Sequence, residues 1–483
     1  MACSGVQRPG HAEPTTRSLL LGFMIRQIPE TAKFADEVAL EALGRALPRG
    51  VIEAVVADLG VASQRRRKLP AELTMLLAVA MNLYTRQSLG QVLVKMVKGL
   101  RLLWPEPAFQ PASKSAISQA RYRLGAQPLV ELFHRVCRPL AGPETKGAFL
   151  FGLRLMAIDL TVEDVPDSPE NAQAFGRHWS DRGASAYPQV LAAYLDECGT
   201  HAIVDAGFWP CHSNQHACAQ RLLRSVEQGM LVSWDAGLHS FEIAKQTRAR
   251  DAHFLGRVPA GPKFRPLRPL SDGSYLTHLQ PDNHGQPWHG ERLLVRIIEY
   301  TLTDPNRPGY GQLHRLMTSL LDPEECPALE LILAYHERWE VEITIDELDT
   351  HQRLPQHPLR SKKPVGVIQE LYGLLIAHYA IRRLMLDSAT KHDLDPDRLS
   401  FTSAVEVVCD AIAEFQQVVP EEHPRLYQRL LDDIARYRLP ERANRINPRV
   451  VKRKMSKFLL KRPEHRHWPQ PTKPFRQAVA VLI

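Results

Sequence analysis

The sequence predicts an α/β protein, with a strand-bearing centre set between a helical N-terminal part and a helical, basic C-terminal region. Three observations lead there. Apolar residues recur with helical spacing up to about residue 145. Two continuous apolar runs, LFGLRLMAID and GMLVSWD, then read as buried strands, each closing on an aspartate (Asp159 and Asp235). After residue 254, turn signals (PAGPK, SDGS, PDNHGQ) punctuate alternating segments, and helical periodicity returns at 327.

In chain order, FADEVALEALGRALPRGVIEAVVADLG has helical spacing, Pro70 opens a helix over AELTMLLAVAMNLYT, and SLGQVLVKMVKGLRLLW follows. SKSAISQARYRLG has Ser113 or Ser115 as its cap and Gly125 as its stop. Its Lys114, Gln119, Arg121 and Arg123 suit either a recognition helix near a duplex or a packing helix with incidental cations. QVLAAYLDE (189–197) and THAIVDAGF (200–208) read as further strands, and HACAQRLLRSV as a helix. ERLLVRIIEYTL belongs to a β-rich insertion. VIQELYGLLIAHYAIRRLML (367–386) and residues 402–437 are helical again.

With 483 residues, 44% hydrophobic and 24% charged, the chain reads as a soluble globular protein of several domains. Its longest apolar runs fall short of the roughly 18 residues of a membrane span, and SLLLGFMI (18–25) lacks a cleavage site. A cytoplasmic protein with no membrane partner is expected. Seven scattered cysteines exclude a disulfide scaffold. CHSNQHAC (211–218) crowds Cys211, His212, His216 and Cys218 into eight residues, whereas zinc ligands come as two separated pairs, so no metal site is expected there.

The charge is uneven. Residues 436–466 hold a net +10, so the rest of the chain sums to −2 of the total +8. RINPRVVKRKMSKFLLKR interleaves apolar residues with Lys452, Arg453 and Lys454, a pattern suited to docking phosphates.

YHERWEVEITIDELDTHQ (335–352) raises a question of chemistry. At about 100° per residue, Tyr335, Arg338, Glu342 and Asp349 share one helical stripe. Glu342 supplies a third carboxylate to the two aspartates at strand ends, where α/β proteins build their chemistry. Three carboxylates meeting at one point repel unless hard cations lie between them, and two Mg²⁺ or Mn²⁺ ions would suit phosphodiester displacement.

AIDLTVEDVPDSPENAQAFG, LVSWDAGLHSFE and the Tyr335–Arg338–Glu342 spacing together resemble the DDE transposases of insertion elements, in the group named after insertion element four. The resemblance runs co-linearly from roughly 20 to 465 and includes ECGTHAIVDA, HERWEVE and RVVKRKMS. It implies an RNase H-like core with a β-rich insertion, an N-terminal DNA-binding region, divalent-metal catalysis and a homodimer on paired ends of double-stranded DNA. The implied division is 1–145 helical and DNA-binding, 146–253 first part of the core, 254–325 insertion, 326–420 second part of the core, and 421–483 basic C-terminal region. Asp159, Asp235 and Glu342 become the metal-binding catalytic triad, with Tyr335 and Arg338 as contacts to the element's ends. The implied activity is cleavage at inverted-repeat ends and joining of the freed 3′-OH to target DNA. Three positions depart from the pattern: Asp349 replaces the group's lysine, Ala236 its arginine, and Leu160 the glycine after the first aspartate. These departures set a rival reading beside it, a catalytically inactive, transposase-derived DNA-binding protein.

Overall fold

A computed structural model describes residues 19–20, 23–28, 37–63, 69–103, 112–180, 183–281, 288–337, 339–353, 359–440, 450–451 and 459–482. Its centre is strand β1 (Leu153–Asp164). On one side lie β2 (Gln189–Glu197) and β3 (Ala202–Pro210), each antiparallel to its neighbour. On the other lie β4 (Met230–Trp234) and β5 (His253–Arg257), both parallel. The order β3-β2-β1-β4-β5 is the RNase H-like arrangement. Beyond β5 the same sheet continues through β6 (Arg268–Pro269), β7 (Tyr275–Leu279), β8 (Leu293–Leu302) and β9 (His314–Thr318), with β9 pairing β5. Residues 254–257, grouped with the insertion by sequence, therefore belong to the fifth core strand. Near the C-terminus, β10 (Val479–Val481) adds to β8.

Alternation along β1 decides what each face meets. Met156 and Ile158 point with Val232 and Trp234 into a cluster shared by α7 (Gln215–Leu222) and α8 (Phe241–Arg248). Leu155 and Ala157 point with Leu231 the other way, against α9 (Ala328–Glu337) and Val341 of α10 (Trp339–Asp346). Both faces are covered, which explains why the run reads as continuously apolar.

Among the described residues, five helices of eight residues or more precede the sheet: α1 (Arg49–Asp58), α2 (Ala71–Ala80), α3 (Leu89–Met96), α4 (Lys114–Leu124) and α5 (Gln127–Val136). A short α6 (Pro169–Phe175) follows β1. The first five helices share one apolar core with α11 (Pro364–Lys391), α12 (Phe401–Gln417) and α13 (His423–Ala435). Helix α11 is apolar and long enough to cross a membrane, yet 83% of its apolar window is buried inside the protein, as a core helix would be. It crosses α2 at Gly373, where a Cβ would come within 2.3 Å of the Ala78 carbonyl oxygen, so only glycine permits this approach.

After α10 the chain winds as a π-helix over Glu347–Gln352, and the Arg353 amide reaches back five residues to Leu348 O at 3.0 Å. Glu347 is buried there with an ion pair to Arg382 and a bond to His378 at 3.0 Å. His201, at the β2–β3 turn, lies 3.5 Å from Glu347 and 3.2 Å from Asp397. Burial alone would raise the Glu347 acid, but Arg382 and His201 hold it well below its ordinary value. Burial and Arg382 oppose protonation of His201, whereas Asp397 and Glu347 prevail and lift it to about 9. Asp196 also faces His201 from β2, and burial raises its own acid to about 7.

The signs set a pH window. The depressed Glu347 contributes stability above its unfolded value of 4.5, lost on acidification through its lower folded value. The raised His201 contributes stability below its unfolded 6.5, lost as pH rises toward about 9. Glu347→Gln breaks a buried pair and should cost about 3–5 kcal/mol at neutral pH. In denaturant titrations across pH, the alkaline decline should also become shallower. An unchanged profile would remove this network from the stability account.

Candidate active site

The register of β1 and β4 pairs Ile158 with Trp234. The next residue on each strand is Asp159 and Asp235, so the aspartates stand at neighbouring strands spaced about 4.8 Å apart. Alternation assigns both to the face of Leu155, Ala157 and Leu231, the side covered by α9 and α10. Each has an oxygen fixed by backbone donors. Asp159 Oδ1 accepts from its neighbour Leu160 N at 2.8 Å. Asp235 Oδ1 accepts from Gly237 N at 2.9 Å and Leu238 N at 3.2 Å, capping a short 3₁₀ turn.

Glu342 lies on α10, half-buried, between two residues that anchor the helix. Val341 enters the apolar cluster with Ala157, and Thr344 Oγ1 donates to Asp196 Oδ2 on β2 at 3.0 Å. Oxygen-only donors on two strands and a helix fit a hard divalent cation, not a soft one.

Tyr335 is only 8% exposed, and its hydroxyl donates to Trp234 O at 3.4 Å. Expected as a contact to DNA, it is instead buried and ties α9 to the backbone beside Asp235. Arg121 also departs from expectation. Its guanidinium is buried and donates to Gln369 Oε1 at 3.1 Å, Ser361 Oγ at 3.0 Å and Gly366 O at 2.9 Å, which joins α4 to α11 and leaves no face for DNA. The cap at Ser113 and stop at Gly125 hold as read, with Lys114 exposed at the helix start. Arg338, Lys452, Arg453 and Lys454 lie outside the described residues.

Asp349 does not stay on the stripe, because the π-helix widens the turn and the 100° step no longer applies. The residue pairs with Arg353 at 3.3 Å, and Arg353 bonds Glu163 of β1 at 2.6 Å. Burial first, and the Glu163 carboxylate second, push the Asp349 acid up to about 7 against the pull of Arg353. A like-charged pair braced by one guanidinium thus takes the place of a cation offered to solvent.

Pairing of Asp349 with Arg353 at i+4 is open to sequence reasoning, but the part of Glu163 is not, because Glu163 and Arg353 are 190 positions apart. The charge of Arg353 beside an unpaired-looking Asp349 at i+4 was the available signal. Of the Cys/His run at 211–218, Cys211 and His212 leave strand β3 together, Cys218 is buried on α7, and His216 lies near enough to His239 to help lower its basicity after burial has done most of it.

Because its folded pKa exceeds the ordinary 3.8, Asp349 favours folding at low pH and loses that contribution as pH rises through about 7. Asp349→Asn should therefore stabilise the protein by about 1 kcal/mol at pH 8, after allowance for partial exposure. It should be neutral near pH 4. Equal unfolding midpoints at both pH values would overturn this account.

Comparison with known proteins gives a consistent picture. Residues 37–134 match the family described as insertion element 4 transposase N-terminal, and residues 151–380 match the transposase DDE domain. The transposase InsG for insertion sequence element IS4 of Escherichia coli (strain K12) is 29% identical over 450 residues, covering 91% of this chain and 96% of that protein. A second relative from the same organism, InsZ, is 25% identical over 184 residues, 38% of this chain and 58% of its own length. Among solved structures, the piggyBac transposase synaptic complex with hairpin DNA aligns over 83% of this chain and 85% of its own, with 11% identity and a TM-score of 0.42.

Proposed function

The chain belongs to the DDE transposases of the insertion-element-four group, and from that premise we propose that Asp159, Asp235 and Glu342 form its catalytic centre for cutting and rejoining DNA. The supporting observation is the parallel register that sets Asp159 beside Asp235 on the face where α10 brings Glu342. The enzyme is a metal-dependent DNA cleavage and strand-transfer enzyme. Divalent ions held by these carboxylates, two Mg²⁺ or Mn²⁺ in this proposal, would stabilise charge on the attacking and leaving oxygens of a phosphodiester.

The chain's own residues hold and orient. Backbone donors fix one oxygen of each aspartate, Thr344 anchors α10, which brings Glu342, and Tyr335 anchors the preceding α9. The substrate is double-stranded DNA at the inverted-repeat ends of an element, and then the target into which the freed 3′-OH is joined. The working unit is a homodimer on paired ends, in the cytoplasm. Arg338 forks onto an end phosphate, and the basic Lys452, Arg453 and Lys454 dock the backbone of the duplex. Lys114, exposed at the start of α4, is a further phosphate contact. Because Asp349 turns toward Glu163 and Arg353, its charge is not set against a phosphate, which removes the main argument for an inactive protein.

Asp235→Ala should abolish Mg²⁺- or Mn²⁺-dependent cleavage of end-containing DNA, with a loss of about 1,000-fold or more, roughly 4 kcal/mol of barrier. Duplex affinity should change little. Cleavage that persists in the folded variant would remove Asp235 from the centre.

Deleting the whole basic region would also strip β10 from the sheet, so charge removal is the cleaner test. Neutralising Lys452, Arg453 and Lys454 to Gln should reduce the slope of log K against log salt by about 2–3. An unchanged slope would refute phosphate docking by these residues.

A further inference from the structure

We infer that His178, Cys211 and His212 form a zinc site, separate from the carboxylate centre, that fastens the loop after β1 to the end of β3. Their ligand atoms (imidazole nitrogens and the thiol sulfur) all lie within 4.8 Å of one another. A tetrahedral Zn²⁺ with bonds of about 2.0–2.3 Å needs its ligand atoms about 3.3–3.6 Å apart. The site is therefore within roughly an ångström of closing around the ion.

The arrangement is built by backbone from two directions. Helix α6 ends at Phe175, whose carbonyl accepts the Cys211 amide at 2.8 Å. Gly176 follows with φ +77°, and a Cβ there would sit 3.4 Å from Cys211 Sγ and 3.3 Å from His212 Cδ2. The glycine thus allows the loop to pass directly over both side chains. Its carbonyl accepts the Gln189 amide at 3.0 Å, and the His178 carbonyl accepts the Ser185 amide at 2.8 Å. These bonds close the loop at its base and present the His178 ring to His212, centroids 5.6 Å apart and steeply inclined.

The donor set selects the metal. One thiolate and two imidazoles are borderline-soft and suit Zn²⁺, whereas Mg²⁺ demands oxygen. Cys211 is 3% exposed and His212 is exposed, so the cation would seat with its fourth position toward solvent. Burial pushes the Cys211 thiol above its ordinary pKa, so binding should release a proton as the metal draws out the thiolate. The loop carries Trp179 at 75% exposure, one residue beyond His178. Metal binding would fix where that indole stands.

The sequence hid this site because His178 lies 33 positions before Cys211. His216 and Cys218, its apparent partners, point elsewhere.

The test uses the purified full-length protein, equilibrated with Zn²⁺ in excess Mg²⁺ and dialysed. One zinc per chain is expected by elemental analysis. Substitution with Co²⁺ should give a thiolate-to-cobalt charge-transfer band and intense tetrahedral visible bands. Cys211→Ser should abolish the charge-transfer band, His178→Ala should weaken metal retention, and Cys218→Ser should change neither. Circular dichroism establishes that each variant is folded. Substoichiometric zinc in the unmodified protein, or a cobalt–thiolate band that survives Cys211→Ser, would overturn the assignment.

Discussion

Ile158 lies opposite Trp234 because β1 and β4 run parallel, and this pairing governs the rest of the molecule. Side chains in a strand alternate, so slipping one strand by a single residue would move its aspartate off its neighbour and set the two on opposite faces. The register is held by apolar contacts on both faces, Met156 with Val232 on one and Leu155 with Leu231 on the other. The chemistry thus rests on residues that take no part in it.

The glutamate arrives by a different route. It rides on α10, which Thr344 pins to Asp196, and the preceding helix α9 is pinned by Tyr335 to the Trp234 carbonyl. Farther along, Glu347 and Arg353 fasten the π-helical turn to α11 and to β1. Buried polar contacts of this sort are costly unless fully paired, and their common effect here is to fix one position of α10 against the sheet. In the proposed centre, fixing such a helix before substrate arrives would favour catalysis, since carboxylates that must share a cation cannot be repositioned cheaply at the moment of reaction.

Much of this was legible in the residues. The apolar runs leading to Asp159 and Asp235 announce themselves because a strand buried on both faces must be apolar throughout, although β1 continues past Asp159 to Asp164, where pairing with β2 carries it on. The cap at Ser113 and stop at Gly125 bound α4 for equally local reasons. What failed to show was whatever depends on distant partners. Arg121 resembled a surface cation until Gln369 and Ser361, some 240 positions away, were found around it. Asp349 was placed by a regular helical step, and a π-turn is not written in any short-range signal. The continuation of the sheet from β5 into β9 was equally hidden, because alternation marks a strand without saying which neighbour it takes.

The far C-terminal residues have a further consequence. The chain leaves the helical core after α13 and returns to the sheet through β10, where Leu482 N donates to Glu299 O at 2.8 Å and Arg476 grips Glu330 with two bonds of 2.7 Å. The most basic stretch of sequence is thus flanked on both sides by residues packed against the folded protein. Glu330 lies on α9, the helix that also bears Tyr335. The segment that returns the chain to the sheet is therefore tied to the same helix that Tyr335 ties to the backbone beside Asp235.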